Sequence, residues 1–233
     1  MIAVLINGAA IIIGGTIGLL IKKGIPEEMG SLIMKGMALC VIYIGISGAF
    51  EGENTMITIL SMLIGAILGH ALRLDERLNN IADKIGNKMQ KKNQEKKETV
   101  IKPSFSEGFV TATLLFCVGA MAIVGSLQAG LASDYEMLFM KSAMDGITSV
   151  IFAATLGAGV LFASFPVVVY QGTIVAIAGF AAPYLTDYMI GEMTCVGSLL
   201  ILAIAFNMLG ITKIKIMNLM PAVFIPIGLC LFM

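Results

Sequence analysis

Residues 8 to 20 read Gly-Ala-Ala-Ile-Ile-Ile-Gly-Gly-Thr-Ile-Gly-Leu-Leu, and residues 119 to 131 read Gly-Ala-Met-Ala-Ile-Val-Gly-Ser-Leu-Gln-Ala-Gly-Leu. Five of the thirteen aligned positions are identical. A Leu-x-Met-Lys follows each stretch: Leu32-Ile33-Met34-Lys35 after the first and Leu138-Phe139-Met140-Lys141 after the second. That motif begins 24 residues after the leading glycine in one half and 19 in the other, so the match needs an insertion. Both stretches are apolar and glycine-rich, as membrane helices are. Whether the two copies enter the bilayer in the same or in opposite directions decides the architecture, and opposite directions are a hallmark of transporters.

The rest of the chain supplies the directions. Its 233 residues are 58% hydrophobic and 13% charged, with no tryptophan. A soluble domain of that length needs a more charged exterior, so the chain reads as an integral membrane protein. Apolar windows of about 20 residues mark eight candidate spans: 2–21, 32–50, 55–72, 107–131, 138–162, 166–184, 192–210 and 216–232. Lys22, Lys23 and Lys35, nine basic residues from Arg73 to Lys102, and Lys213 with Lys215 then fall on one side; Lys141 falls on the other with Glu51, Glu53, Asp134, Glu136, Asp187 and Glu192. By the positive-inside rule the basic side is cytoplasmic and both termini face outward. The basic pair Lys22-Lys23 follows the first apolar run rather than preceding it, which argues against a signal peptide.

Span 1 therefore enters from outside and span 4 from inside. Three spans separate the copies, and an odd number inverts them. The expected organisation is a first transmembrane repeat (1–73), a cytoplasmic amphipathic basic linker (74–106), a second repeat (107–190) and two C-terminal transmembrane helices (191–233). In the linker, Leu74, Leu78, Ile81, Ile85 and Met89 recur every three or four residues among Arg77, Lys84, Lys88, Lys91 and Lys92. Such a stripe suits a helix on an anionic inner leaflet or packed on the protein's own inner face. Residues 93–99 read as a polar tether.

Chemistry concentrates in span 5. Asp145 lies about 10 Å below the outer boundary at helical rise, where a carboxylate needs a partner or water. Lys141 is four residues earlier on the same helical face, with Thr148, Ser149 and Thr155 following. One reading is a mutually neutralised structural pair with Lys141 snorkelling outward. The other has Asp145 lining a hydrated path as an ion or proton ligand, with Lys141 as its electrostatic partner and Gln128, Ser149 and Gln171 as neutral ligands. Asn7, Ser164 and Asn207 are further polar groups in or beside spans. Gly157 and Gly159 follow this stretch and are expected to break span 5, freeing carbonyls. Other glycines, such as the Gly65/Gly69 pair, read as helix packing.

Enzyme signatures do not assemble. Gly45-Ile46-Ser47-Gly48 matches a rhomboid-type GxSG, but the single histidine, His70, sits near the opposite membrane face, roughly 20 Å away. No HExxH, P-loop or dinucleotide fingerprint is present, and one intramembrane aspartate cannot make an aspartyl protease dyad. Cys40, Cys117, Cys195 and Cys230 stand alone in separate spans, without metal-ligand spacing.

The run from Gly119 to Leu131, then Lys141, Asp145-Gly146, Ser149, Gly157, Gly159 and Gln171-Gly172, resembles the YqgA/YdfK-type family of bacterial membrane proteins, and the resemblance extends from Asn7-Gly8 to Pro221. It implies an all-α, multi-pass protein of a prokaryotic inner membrane and supplies no substrate. The sequence thus predicts an inverted-repeat secondary transporter or ion pathway for a small solute or ion. It is expected to work as a homodimer in the lipid bilayer, without enzymatic activity, cofactor or nucleic-acid partner. The alternative is a non-transporting scaffold or sensor that works through the basic linker.

Overall fold

A computed structural model describes residues 1–22, 26–77, 105–118, 120–181 and 185–232. The linker stripe from Leu78 onward and the tether at 93–99 fall outside the described residues. The helices are α1 (Ile2–Lys22), α2 (Glu27–Ala49), α3 (Thr55–Ala71), α4 (Phe105–Cys117), α5 (Ala120–Leu131), α6 (Glu136–Leu156), α7 (Gly159–Phe162), α8 (Ser164–Ala181), α9 (Asp187–Met208), a 3-10 helix (Ile216–Phe224) and α10 (Ile225–Leu229).

Every predicted apolar window carries helix, but the windows are not eight equal spans. Among the described residues five helical stretches are long and apolar enough to cross a membrane, counting 159–180 as one, and α4 with α5, bent by 56°, forms a broken span or a re-entrant loop. The third and eighth windows are shorter: α3 has 17 residues, and the last is a 3-10 helix of nine residues followed by five α-helical ones. With rises of about 1.5 and 2.0 Å per residue, each comes to about 25 Å, a little under a typical hydrocarbon core. Pro221 lies inside the 3-10 helix and Pro226 at the start of α10. A proline withholds an N–H and crowds the preceding turn, so a continuous α-helix is not available there.

Small residues set which helices approach. In α1 the buried positions are Ala3, Val4, Asn7, Gly8, Ile11, Gly14, Gly15 and Gly18, one stripe at helical spacing. A Cβ on Gly14 would collide with the Gly146 carbonyl and one on Gly18 with the Val150 carbonyl, so α1 and α6 run parallel in close contact. Gly8 meets Val168 of α8, and Gly15 meets Leu161 of α7. Thus α1 is wedged between α6 and the α7–α8 unit. Elsewhere Gly45 and Gly48 of α2 face Leu202 and Ser198 of α9, and Gly65 and Gly69 of α3 face Ala222 and Asn218, so both of these pairs are antiparallel.

The apolar core gathers Phe116, Phe152, Leu156, Leu200, Ile201 and Ile204, with the Phe116 and Phe152 rings stacked 6.3 Å apart. Helix α9 is central and α2 peripheral: 78% of the apolar window of α9 is buried against 17% for α2. The outside is as apolar as the inside, with Leu5, Ile13, Leu32, Leu39, Tyr43, Phe50, Leu63 and Ile67 exposed. In water such a surface would aggregate, whereas in lipid it costs nothing.

The helix breaks at the expected glycines, at the end of α6. Helix α6 runs uninterrupted to Leu156, and Gly157 is its C-cap, with φ +88° and its N–H donating to the Ala153 carbonyl. This is the left-handed stop that glycine favours. Gly159 then starts α7, where any Cβ would strike the Phe105 carbonyl. Lys22 Nζ donates to the Thr155 carbonyl at 3.4 Å at the same end of α6. These glycines turn the chain between spans. A bend of 56° lies between α4 and α5.

Candidate polar site inside the helix bundle

The wedging of α1 brings three helices' polar side chains together. On α6, Lys141, Ser142, Asp145 and Ser149 share the buried face. Lys141 Nζ lies 3.0 Å from Asp145 Oδ2 and 3.1 Å from Oδ1, so the i,i+4 pair predicted from sequence is formed, with both residues only 6% exposed. Lys141 therefore does not snorkel. From α1, Asn7 Nδ2 donates to Asp145 Oδ2 at 3.1 Å and to Gln171 Oε1 of α8 at 3.1 Å. Asn7 and Gln171 have no exposed surface. Counted along its own helix at about 1.5 Å per residue, each of the three groups lies roughly 8 to 15 Å from the end that precedes Asn7, so that Asn7 is near the start of α1 while Asp145 and Gln171 are near the middle of α6 and α8.

The ionised carboxylate dictates how both amides point. Asp145 Oδ2 needs a donor, so Asn7 turns its NH2 inward, and Gln171 must then offer its oxygen to that same NH2. The opposite ends, Asn7 Oδ1 and Gln171 Nε2, are buried with no partner among the described residues. An idle acceptor and an idle donor thus flank a self-neutralised ion pair. Buried amide groups without partners are costly, of order 1–3 kcal/mol each, and a dry packing site has no use for them.

Of the predicted ligands, Asp145, Lys141 and Gln171 meet. Ser149 sits one turn below, fully buried, but its hydroxyl donates to the Asp145 carbonyl at 2.7 Å and its Cβ faces Gly14. It packs the α1–α6 contact and is no ligand. Gln128 is half-buried on α5, and its carbonyl accepts from the backbone of Ala132 and Asp134 at the helix end. No side-chain hydrogen bond ties it to the cluster among the described residues. Asn207 folds the 207–214 loop, its Oδ1 accepting from Thr212 Oγ1 and Ile214 N at 2.7 and 2.9 Å. Ser164 donates back to the Leu161 carbonyl. Ser47 and His70 are exposed and stand at opposite ends of the α2–α3 hairpin.

Two groups matter more than sequence reasoning allowed. Asn7 was one polar residue among several, and only the parallel approach of α1 makes it the bridge. Glu192, grouped by sequence with the acids on one side of the membrane, has no exposed surface at all. Its Oε1 accepts from the backbone N–H groups of Glu53 and Asn54, both at 2.7 Å, while Oε2 has no partner among the described residues. Its position one turn inside α9, ahead of a long apolar run, was the available signal.

A family model described as "Protein of unknown function (DUF554)" matches residues 2–231. The "Uncharacterized membrane protein YdfK" of Bacillus subtilis (strain 168) is 34% identical over 230 residues, spanning 97% of this chain and 94% of the relative. The "Uncharacterized protein YqgA" of Escherichia coli (strain K12) is 28% identical over 224 residues, spanning 96% and 94%. No solved structure matches.

Proposed function

Because the chain belongs to the DUF554 family, whose relatives' names supply no substrate, its role has to come from the buried site, and we propose that it is a secondary transporter or ion pathway centred on Asp145. The observation that carries this reading is the buried Asp145–Lys141 pair with one amide acceptor and one amide donor left idle beside it. Removing an ion pair from water costs several kcal/mol per ion, and apolar replacements are often as stable or more so. A pair kept inside a membrane bundle, ringed by unspent polar groups, is what a binding or relay station needs.

The amide chain also gives a proton a means of acting. If Asp145 is protonated and gives up Lys141, its O–H donates to Asn7 Oδ1, Asn7 rotates, and Gln171 follows with its NH2 toward Asn7. The idle groups then exchange: Asn7 Nδ2 becomes the free donor and Gln171 Oε1 the free acceptor. One proton thus inverts what the site offers to a solute.

The inverted relation of spans 1–3 to spans 4–6, outward termini and a prokaryotic inner membrane belong to the same proposal. They are supported by the charge alternation and by helix directions that fit it: α1 parallel to α6, α2 and α3 antiparallel to their partners. A homodimer joined through α2 fits the exposed stripe Leu32, Gly36, Leu39, Tyr43, Ile46 and Phe50, spaced alternately by four and three residues.

The direct test is proton flux into liposomes that hold the protein and a pH-sensitive dye, driven by an imposed membrane potential. Wild type is expected to acidify the lumen and Asp145→Asn to fall to the rate of empty liposomes. Equal flux in the two, with both proteins folded and inserted, would remove Asp145 from the mechanism.

A further inference from the structure

The charge inventory of the site says more about its cargo than about its energetics. A bare cation approaching Asp145 meets Lys141 at 3.0 Å from the same carboxylate, and a bare anion approaching Lys141 meets Asp145. Either one is attracted and repelled from nearly the same point. A molecule carrying both charges escapes this. Its ammonium replaces Lys141 at Asp145 and finds the idle acceptor Asn7 Oδ1, while its carboxylate replaces Asp145 at Lys141 and finds the idle donor Gln171 Nε2. Resting on the reading of the Asp145 cluster as a transport site, we infer that the cargo is a small zwitterion of the amino-acid type, which opens the Lys141–Asp145 pair and takes one partner with each end.

A second polar station repeats the pattern. At the face bearing Lys213 and Lys215, a cavity of about 320 Å³ is lined by Asp75 and Glu107 as well as by those two lysines, with Thr111 and Asn207 between them. Among the described residues that line it, two acids face two lysines. Helix α4 runs from the cavity along α6: Ser106 and Val110 line the cavity, Thr113 lies further along the same helical stripe with its buried hydroxyl unpartnered among the described residues, and Phe116 stacks on Phe152 of α6. A solute of either net sign is penalised at both stations, and a zwitterion at neither.

The test is thermal unfolding of the purified chain in detergent, followed by calorimetry. Probes are glycine, β-alanine, γ-aminobutyrate, the common L-amino acids and glycine betaine, each at millimolar concentration, with sodium acetate and methylammonium chloride, singly and together, as controls. At least one amino acid is expected to raise Tm saturably, with the two half-molecules together giving no rise. Glycine betaine, which has no N–H for Asn7 Oδ1, is expected to fall short of glycine. The shift should vanish in Asn7→Leu and Gln171→Met, which keep the ion pair, each variant being compared with its own unliganded Tm. No rise with any amino acid, or an equal rise with acetate or methylammonium alone, overturns the inference. Asp145-dependent proton flux without amino-acid binding would sink the zwitterion and leave the transport reading standing. An amino acid that binds but, radiolabelled, is never carried into proteoliposomes would do the reverse.

Discussion

Asp145 and Glu192 are both carboxylates buried in the helix bundle, and their surroundings differ in kind. Glu192 is answered by backbone: the consecutive N–H groups of Glu53 and Asn54 hold one oxygen, and Asn54 in turn caps α3 by accepting from Met56 N. It ties the α2–α3 connection to the central helix α9. Asp145 is answered by side chains from two helices, Lys141 of its own and Asn7 of α1, which passes the contact on to Gln171 of α8. Backbone donors are fixed by the fold, whereas side-chain partners rotate, exchange and let go. A carboxylate held by backbone anchors, and one held by movable groups is equipped to bind.

The sharpest way to break that comparison is to truncate each acid. Asp145→Ala leaves Lys141 buried and unpaired, with an expected loss of about 3–5 kcal/mol, read as a lowered unfolding temperature in detergent. Adding Lys141→Met should return most of that stability while proton flux stays absent. If the double variant transports, the pair is ornamental and the proposed function fails.

Glu192→Ala removes two charge-assisted hydrogen bonds and should cost about 3 kcal/mol. Glu192→Gln keeps an acceptor for Glu53 and Asn54 and should cost only about 1 kcal/mol, with flux unchanged. Loss of flux in a folded Glu192→Gln protein would move Glu192 from anchor to mechanism.

The smallest expected effect separates the helices that frame the two acids. Gly14→Ala drives a methyl into the Gly146 carbonyl and should cost about 1–3 kcal/mol. Gly36→Ala, with nothing within 4 Å, should be neutral or stabilise by up to about 1 kcal/mol in the monomer. If Gly36→Ala instead shifts the molecular mass of the detergent-solubilised protein toward monomer, α2 is the dimer face. Cross-linking between the exposed Cys40 thiols of two copies gives an independent reading.

Much of this was legible in the chain because it depends on local composition. Apolar windows located the helices, and Asp145 with Lys141 stood out as charges four apart in an apolar run. Gly157 and Gly159 interrupt the helix where expected, and what the local pattern leaves open is whether the chain continues in line or turns there. Glu192 lies beside Glu53, on the side its charge cluster indicates, and its burial comes from the α2–α3 connection folding over it.

The sequence by itself determined that this is a helical membrane protein and which helix carries the buried ion pair. Hydropathy and helical periodicity are properties of neighbours in the chain, so the chain states them. Tertiary structure alone decided that Asn7, more than a hundred residues from its partners, completes the site with Gln171, and that Ser149 and Gln128 do not. Those outcomes depend on how closely α1 can approach α6, which the missing side chains of Gly14 and Gly18 permit. No local pattern records which other backbone will come to fill that space.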